Sequence, residues 1–427
     1  MGKVSRPRVV AKQHLADLDL PEHVTLSLAE LARSAKEHLL SLSVALGLAT
    51  LQELFASELT RLVGPKGKHQ PERAAYRHGS ERRSVTLGGR LVEVERPRAR
   101  TRDGTELPLA TYAAVADRDL LTEAALARML AGLSGRHYEQ GLEPVGDDVR
   151  SRGTSRSAVS RRFVQGTAAK LAQLRSRDIS PLGILAVFID GIEVADHTVV
   201  VALGVDERAG KHVLGLAEGT TENAAVCQRL LGGLIERGLP TERALLFVID
   251  GGKAIRKAIR DAYGALAPVQ RCILHKRRNV LDHLPEGLRP LIGKKLDQAW
   301  RSEDPDEAER SLRRLADSLE EAHPGAAASV REGLEETLTV SRLGLSPALI
   351  KTFKSTNPIE SLNDGIRVME RNVKNWRSGT MALRWTAAAS LEREKRFRRI
   401  NGYRDLWLLQ RALDRHTKEV TSSRTAA

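Results

Sequence analysis

Only two cysteines occur in the 427 residues, Cys227 and Cys272, which is too few for a disulfide-built scaffold and fits a reducing compartment such as the cytoplasm. No apolar stretch approaches the roughly 18 to 20 residues that cross a bilayer, so no membrane association is expected. The start, MGKVSRPRVVAKQHL, is basic but lacks the apolar segment of a secretory signal. Internal repeats and low-complexity tracts are also lacking, which argues against solenoids and long linkers. At this length a single hydrophobic core no longer grows with the chain, so two to four domains are expected.

What is present in excess is positive charge. Lys and Arg total 68 against 54 Asp and Glu, a formal net charge of +14. That excess favours a polyanionic partner, with DNA or RNA the first candidates, although ribosomal and membrane-surface proteins share the property. Charge names a class of partner and no chemistry.

Patterning divides the chain. Residues 1–80 carry apolar residues at spacings of three and four and read as a helical region. Residues 81–117 read as a β-hairpin module, with SVTLGGRLVEV alternating around Gly88-Gly89 and a second turn at Asp103-Gly104. Residues 118–178 return to helix, and SRSAVSRRF after a glycine-bearing turn is compatible with a helix-turn-helix DNA-binding domain. Arg156, Arg161 and Arg162 would then face DNA; an amphipathic core helix with a basic solvent face fits the same letters.

The segment 179–284 is an α/β pattern. ILAVFI (184–189), TVVVALGV (198–205) and KHVLGLAEG (211–219) read as strands, ENAAVCQRLLGGLIERG (222–238) as a helix ending at Gly238. ALLFVID (244–250), GGKAIRKAIRDAYG (251–264) and VQRCIL (269–274) continue as strand, helix, strand. Three strands before the first helix is the order of a ribonuclease-H-like mixed sheet rather than a regular βαβ alternation. Residues 285–350 are charged and poor in strand formers, so they read as a helical insertion, with 351–400 returning to the sheet domain and 401–427 forming a C-terminal helix and tail.

Asp190 and Asp250 each end a buried strand, and in that sheet order the two strands are neighbours. Two carboxylates brought together repel unless a cation lies between them, and Mg²⁺ suits carboxylates plus water and phosphate oxygens. Glu360, on a helix opened by Asn357 and Pro358, is the candidate third acid for a pair of ions about 3.5–4 Å apart. Each acid has a structural alternative: a hairpin turn at Asp190-Gly191, a helix cap at Asp250, a capping box from Asn357 to Glu360.

Cys272 and His275 form Cys-x-x-His, but a structural zinc site wants four ligands and only His283 lies nearby in sequence. A buried cysteine and a hydrogen-bonded histidine beside the acids fit better. Lys276, Arg277 and Arg278 in HKRRN could grip phosphates or line a solvated helix face. Arg367 falls two helical turns after Glu360 on the same face, for DNA or for a salt bridge. Lys374 and Arg377 flank Trp376, and base stacking there competes with ordinary packing of Trp376, Trp385 and Trp407.

FIDGIEV, VIDGGKAI, VQRCILHKRRN and STNPIESLNDGIR resemble, in order and spacing, the signature blocks of Mutator-type transposases of bacterial insertion sequences. The likeness covers roughly residues 120–415. It implies a DDE triad carried by Asp190, Asp250 and Glu360, separated by 60 and then 110 residues. It further implies Cys272 and His275 as accessory residues, Arg367 as the basic residue after the glutamate, and Mg²⁺ as cofactor, with Mn²⁺ substituting. The implied activity is binding of terminal inverted repeats, cleavage at the 3′ ends and joining to target DNA. A homodimer is the smallest assembly that pairs two element ends. Two rivals use the same residues differently: a ribonuclease-H-like nuclease without strand transfer, and a domesticated DNA-binding protein that no longer cuts.

Overall fold

The computed structural model describes residues 39–68, 74–116, 118–142, 149–219 and 223–425. The chain divides into two compact units, Met1–Gln165 and Gly166–Ala427. The helical expectation for residues 1–38 lies outside the described residues.

In the first unit, helix α1 (Leu39–Val63) presents Leu51, Phe55, Leu59 and Val63 on one stripe, because residues four apart share a helix face. Strands β1 (Ala75–Leu87) and β2 (Arg90–Thr101) form an antiparallel hairpin beneath it. Leu51 and Phe55 pack on Val85 and Val94, and Leu59 and Val63 on Ala75 and Ala99. Phe55 is wholly enclosed, which stabilises the pair by roughly 2–3 kcal/mol. Gly88 and Gly89 take φ of 57° and 85°, as a two-residue hairpin turn demands of both central positions. The strand begins at Ala75, six residues before the expected boundary. Its first half is a charged run with little burial, so the ladder to β2 specifies it and no apolar alternation announces it.

Strand β3 (Glu106–Leu107) extends the sheet after the Gly104 turn. Helix α2 (Ala110–Val115) follows, its first amides Ala110 N and Thr111 N donating to the Glu58 carboxylate at 2.8 and 3.0 Å. Helices α3 (Arg118–Leu130) and α4 (Arg156–Ser176) correct the helix-turn-helix expectation. Residues 131–155 separate them, far more than the three- or four-residue turn of that motif. Part of this connection, β4 (Ser151–Arg152), pairs with β2, whose free edge offers backbone partners that a tight turn would not.

The second unit is built on a five-stranded sheet: β5 (Ile184–Val194), β6 (His197–Asp206), β7 (Lys211–Gly219), β8 (Leu246–Ile249) and β9 (Val269–Arg271), in the order β7-β6-β5-β8-β9. The β7-β6-β5 pairs are antiparallel and the β5-β8-β9 pairs parallel. Residues 184–189 and all of β8 are buried, as the continuous apolar runs predict for central strands. Helices α5 (Ala224–Glu236) and α6 (Lys253–Tyr263) bury Leu230, Leu234, Ile255 and Ile259 on one sheet face. Asn223 caps α5 by accepting from Val226 N at 3.1 Å.

VQRCIL is not one strand. β9 stops at Arg271, Cys272 turns the chain, and helix α7 (Ile273–Asp282) begins. At a sheet edge only one neighbour stabilises extension, so apolar letters there can serve a helix. With α8 (Arg289–Ala299), α9 (Pro305–Leu319) and α10 (Pro324–Arg331), α7 encloses its own core around Leu296, Leu312 and Ala327. The helical insertion therefore starts at Ile273, ahead of the expected residue 285. Short helices α11 (Thr339–Arg342) and α12 (Pro347–Phe353) return the chain to the sheet, where Phe353 stacks on Phe188 at 5.8 Å between ring centroids.

Helices α13 (Asn357–Glu370), α14 (Gly379–Glu394) and α15 (Leu406–Thr425) complete the unit. Glu394 holds it together: both its oxygens accept from Arg177 at 2.7 Å, and one also takes Val213 N at 2.8 Å. Glu394→Ala strands a half-buried guanidinium and a strand amide together. Urea unfolding is expected to show a loss of about 2–3 kcal/mol, below the range for a fully buried pair because water still reaches this one.

Candidate active site

Asp190 lies inside β5, paired with Val201 across the β5–β6 ladder. The turn comes later, at Ala195 with φ 51°, so the hairpin alternative for Asp190-Gly191 does not hold. Asp250 follows the last residue of β8. Because Ile189 is in parallel register with Ile249, both acids stand one residue beyond a matched pair on adjacent strands, which run about 4.8 Å apart. Asp250 Oδ1 accepts from Gly252 N at 2.8 Å. Gly251 has φ 107°, and a Cβ there would come 2.1 Å from Arg271 Nε, so only glycine lets the loop pass.

Glu360 sits in the first turn of α13, whose cap is Thr356 rather than Asn357. Thr356 Oγ1 donates to Glu360 Oε1, and the capping box predicted from Asn357 is not made. The same threonine reaches Cys272: its N and Oγ1 lie 3.4 and 3.2 Å from Sγ, and Oγ1 is 3.3 Å from His275 Nδ1. Cys272, His275 and Glu360 thus bring their ligand atoms within 4.8 Å of one another. Asp190 and Asp250 stand outside that trio, and His283, at the end of α7, does not join it.

The electrostatics bind the groups into one site. Burial pushes the Asp190 carboxyl up to about 6, with the negative charges of Asp250 and Glu360 adding to the effect and His275 opposing it. The hydrogen bond with Cys272 raises the proton affinity of His275 against its burial, and Glu360 and Asp250 raise it further. Cys272 moves the other way: burial would raise its thiol, and the bonds to His275 and Thr356 bring it below the usual range. The result is an imidazole with raised proton affinity beside a set of carboxylates.

One member escaped the sequence. Asn363 is 1% exposed and donates from Nδ2 to Asp190 Oδ2 at 2.9 Å. Its Oδ1 is buried with no donor. Its spacing of three from Glu360 put it on the same helix face, which was the available signal.

The other candidates fall apart. Lys276 is 1% exposed, its ammonium bonded to the Glu332 carbonyl, so burial removes it from any phosphate-gripping surface. Arg277 is committed to Asp297 at 3.0 Å, and Arg278 is exposed. Arg367 is exposed and pairs with Asp364 at 2.9 Å. Lys374 and Arg377 are exposed, while Trp376 packs edge-on against the buried Trp385 at 6.0 Å. In the first unit, Arg156 and Arg161 are exposed and Arg162 donates to Gly153 O at 2.6 Å. Among the described residues no helix is long and apolar enough to cross a membrane.

The family description "Transposase, Mutator family" matches residues 21–399. The transposase for insertion sequence element ISRM5 of Rhizobium meliloti (strain 1021) is 28% identical over 363 residues, covering 83% of this chain and 88% of that protein. The transposase for element IS905 of Lactococcus lactis subsp. lactis (strain IL1403) is 27% identical over 327 residues, 74% of this chain and 80% of that one. The transposase for element IS256 in transposon Tn4001 of Staphylococcus aureus is 23% identical over 351 residues, 80% and 87% of the two chains. With nearly the whole described fold inside the matched region, the chain belongs to the Mutator family of transposases.

Proposed function

We propose that this protein cleaves the 3′ ends of a mobile DNA element at its terminal inverted repeats and joins them to target DNA, with Asp190, Asp250 and Glu360 holding two divalent cations. The observation that carries the reading is the register of β5 and β8, which sets Asp190 beside Asp250 in a sheet of order β7-β6-β5-β8-β9. That order, three antiparallel strands followed by two parallel ones, supports a ribonuclease-H-like domain. The donor set fits a hard cation: the negative charges of Asp250 and Glu360 add to the burial that raises the Asp190 carboxyl, and a divalent ion would relieve that repulsion. When bound, Mg²⁺ or Mn²⁺ activates a water or 3′-hydroxyl and stabilises the leaving oxygen.

The chain's own residues do the positioning. Asn363 aims the Asp190 carboxylate, Thr356 aims that of Glu360, and the Gly252 amide fixes Asp250. His275, its proton affinity raised by Cys272 and the nearby acids, stands beside Glu360. Joining breaks one phosphodiester for each one formed, so the step needs alignment of strands and no external energy source. DNA occupies the site as substrate, and two copies of the chain would pair two element ends.

The test is a joining assay with labelled inverted-repeat ends, a target duplex and Mg²⁺. Joined product is expected, and none when the divalent ion is chelated. Joining without any divalent ion would sink the mechanism, and hydrolysis with no joined product would leave a nuclease. Asn363→Leu, similar in volume but unable to donate, is expected to weaken Mn²⁺ binding by about 10- to 100-fold in calorimetric titration, as for other residues that orient metal ligands.

A further inference from the structure

Lys211 opens β7 and Arg393 lies in the last turn of α14, and these two elements pack against each other. Arg393 rests on α13 at Gly365, where a Cβ would come 2.1 Å from its Nε. That Nε is buried with no acceptor. The chain beyond α14 is tied to the turn before Lys211 by the bond from Ile400 N to Ala209 O at 3.2 Å. Lys211 Nζ sits 5.1 Å from the centre of the Phe397 ring. Burial, and next the Arg393 charge, lower the proton affinity of this ammonium.

The nearby carboxylates are committed elsewhere. Glu394 is taken by Arg177 and Val213 N. Asp206 accepts from the Arg208 and Gly210 amides and meets His212 at 2.7 Å, and Glu392 pairs with Lys395 at 2.6 Å. Among the described residues no carboxylate pairs with Lys211 or Arg393. Like charges held together and partly out of water cost free energy unless an anion joins them. Beyond the pair, Arg396, Arg398, Arg399 and Arg404 are exposed, the last two lying 5.6 and 5.8 Å from the exposed Tyr403 ring.

We infer that Lys211 and Arg393 grip a backbone phosphate of double-stranded DNA, with the exposed arginines of residues 396–404 continuing the contact along the duplex. Gly365 follows Glu360 by five residues on α13, about 7.5 Å along the helix axis. The grip is therefore built on the helix that carries the third carboxylate, and a duplex held there is referenced to it. This rests on the reading of the chain as a DNA-joining enzyme.

The experiment is fluorescence anisotropy of a labelled duplex with the full chain across a salt series. Each neutralised phosphate contributes about 0.9 to the log–log salt slope, so Lys211→Ala with Arg393→Ala, which removes the grip on one phosphate, is expected to flatten it by about 0.9. Gly365→Ala preserves every charge yet displaces Arg393, and is expected to weaken binding about threefold or more at fixed salt. Lys211→Met keeps the side-chain stem on Phe397 and removes one of the two charges on that phosphate, so it should flatten the slope by roughly half of that 0.9, serving if the double variant unfolds. An unchanged slope in a folded Lys211→Met or double variant overturns the proposal. So does an equal loss in Arg313→Ala with Arg314→Ala, two arginines of the helical insertion that already have acidic partners. Wild-type protein that binds no duplex at all would instead remove the reading of the chain as a DNA-joining enzyme.

Discussion

Asp250→Ala is expected to lower strand cleavage and joining by about 10³-fold or more while duplex affinity stays within about twofold of wild type. The asymmetry follows from the site. Asp250 is one of two carboxylates on adjacent strands, and its removal would take away a proposed metal ligand that the strand register places beside Asp190. DNA binding draws on arginines and lysines far more numerous than one aspartate. The alanine also deletes the acceptor for Gly252 N, so a melting curve should accompany the kinetics. Gel assays of nicked and joined products, alongside anisotropy on the same preparation, separate the two effects. Full activity in Asp250→Ala, Asp190→Ala and Glu360→Ala alike would remove the carboxylate assignment.

Glu370→Gln is expected to stabilise the protein at pH 8 and leave it unchanged near pH 4. Glu370 ends α13 with 8% exposure and accepts from Thr386 Oγ1 at 2.9 Å. Burial pushes its carboxyl up to about 7, with the Thr386 bond and the Arg367 charge only partly opposing. As pH rises from the unfolded value of 4.5, the unfolded chain releases its proton first. Stability then falls by about 1.4 kcal/mol per unit until the folded group ionises near 7, and is flat above. The whole decline is on the order of 3 kcal/mol. Glutamine keeps an acceptor for Thr386 and has no proton to lose, so urea unfolding at the two pH values should converge at the acid end and diverge at the alkaline end. A variant less stable at both would show that the carboxylate is worth more than its desolvation costs.

Glu360, Asp190 and Asp250 were legible by different routes. The two aspartates end apolar runs long enough to be central strands, and central strands carry polar residues only where a function or a turn requires them. Glu360 had a full structural alternative as a capping residue; Thr356 caps the helix one residue earlier, which removes that alternative, and the catalytic reading of Glu360 rests on resemblance. The bonds from Asn363 to Asp190 and from Thr356 to Cys272 were not legible: they span 173 and 84 residues, and local spacing could only place Asn363 on the Glu360 face. The helix-turn-helix expectation failed for a related reason. Glycines and a basic helix are what the motif needs locally, but residues 131–155 separate the two helices, and Ser151 and Arg152 among them pair with β2.

By itself the sequence determined the sheet and its order of elements, because buried strands and amphipathic helices are written in spacings of a few residues. It also determined the charge that favours a polyanionic partner, and it singled out the three acids as candidates. The tertiary structure alone decided which cations are free. Lys276 sits in a basic run yet is spent inside the protein, whereas Lys211 and Arg393 lie far apart in the chain and meet without an acid between them. Spacing along a chain reports local geometry. Whether a charge is paired depends on what the fold brings beside it.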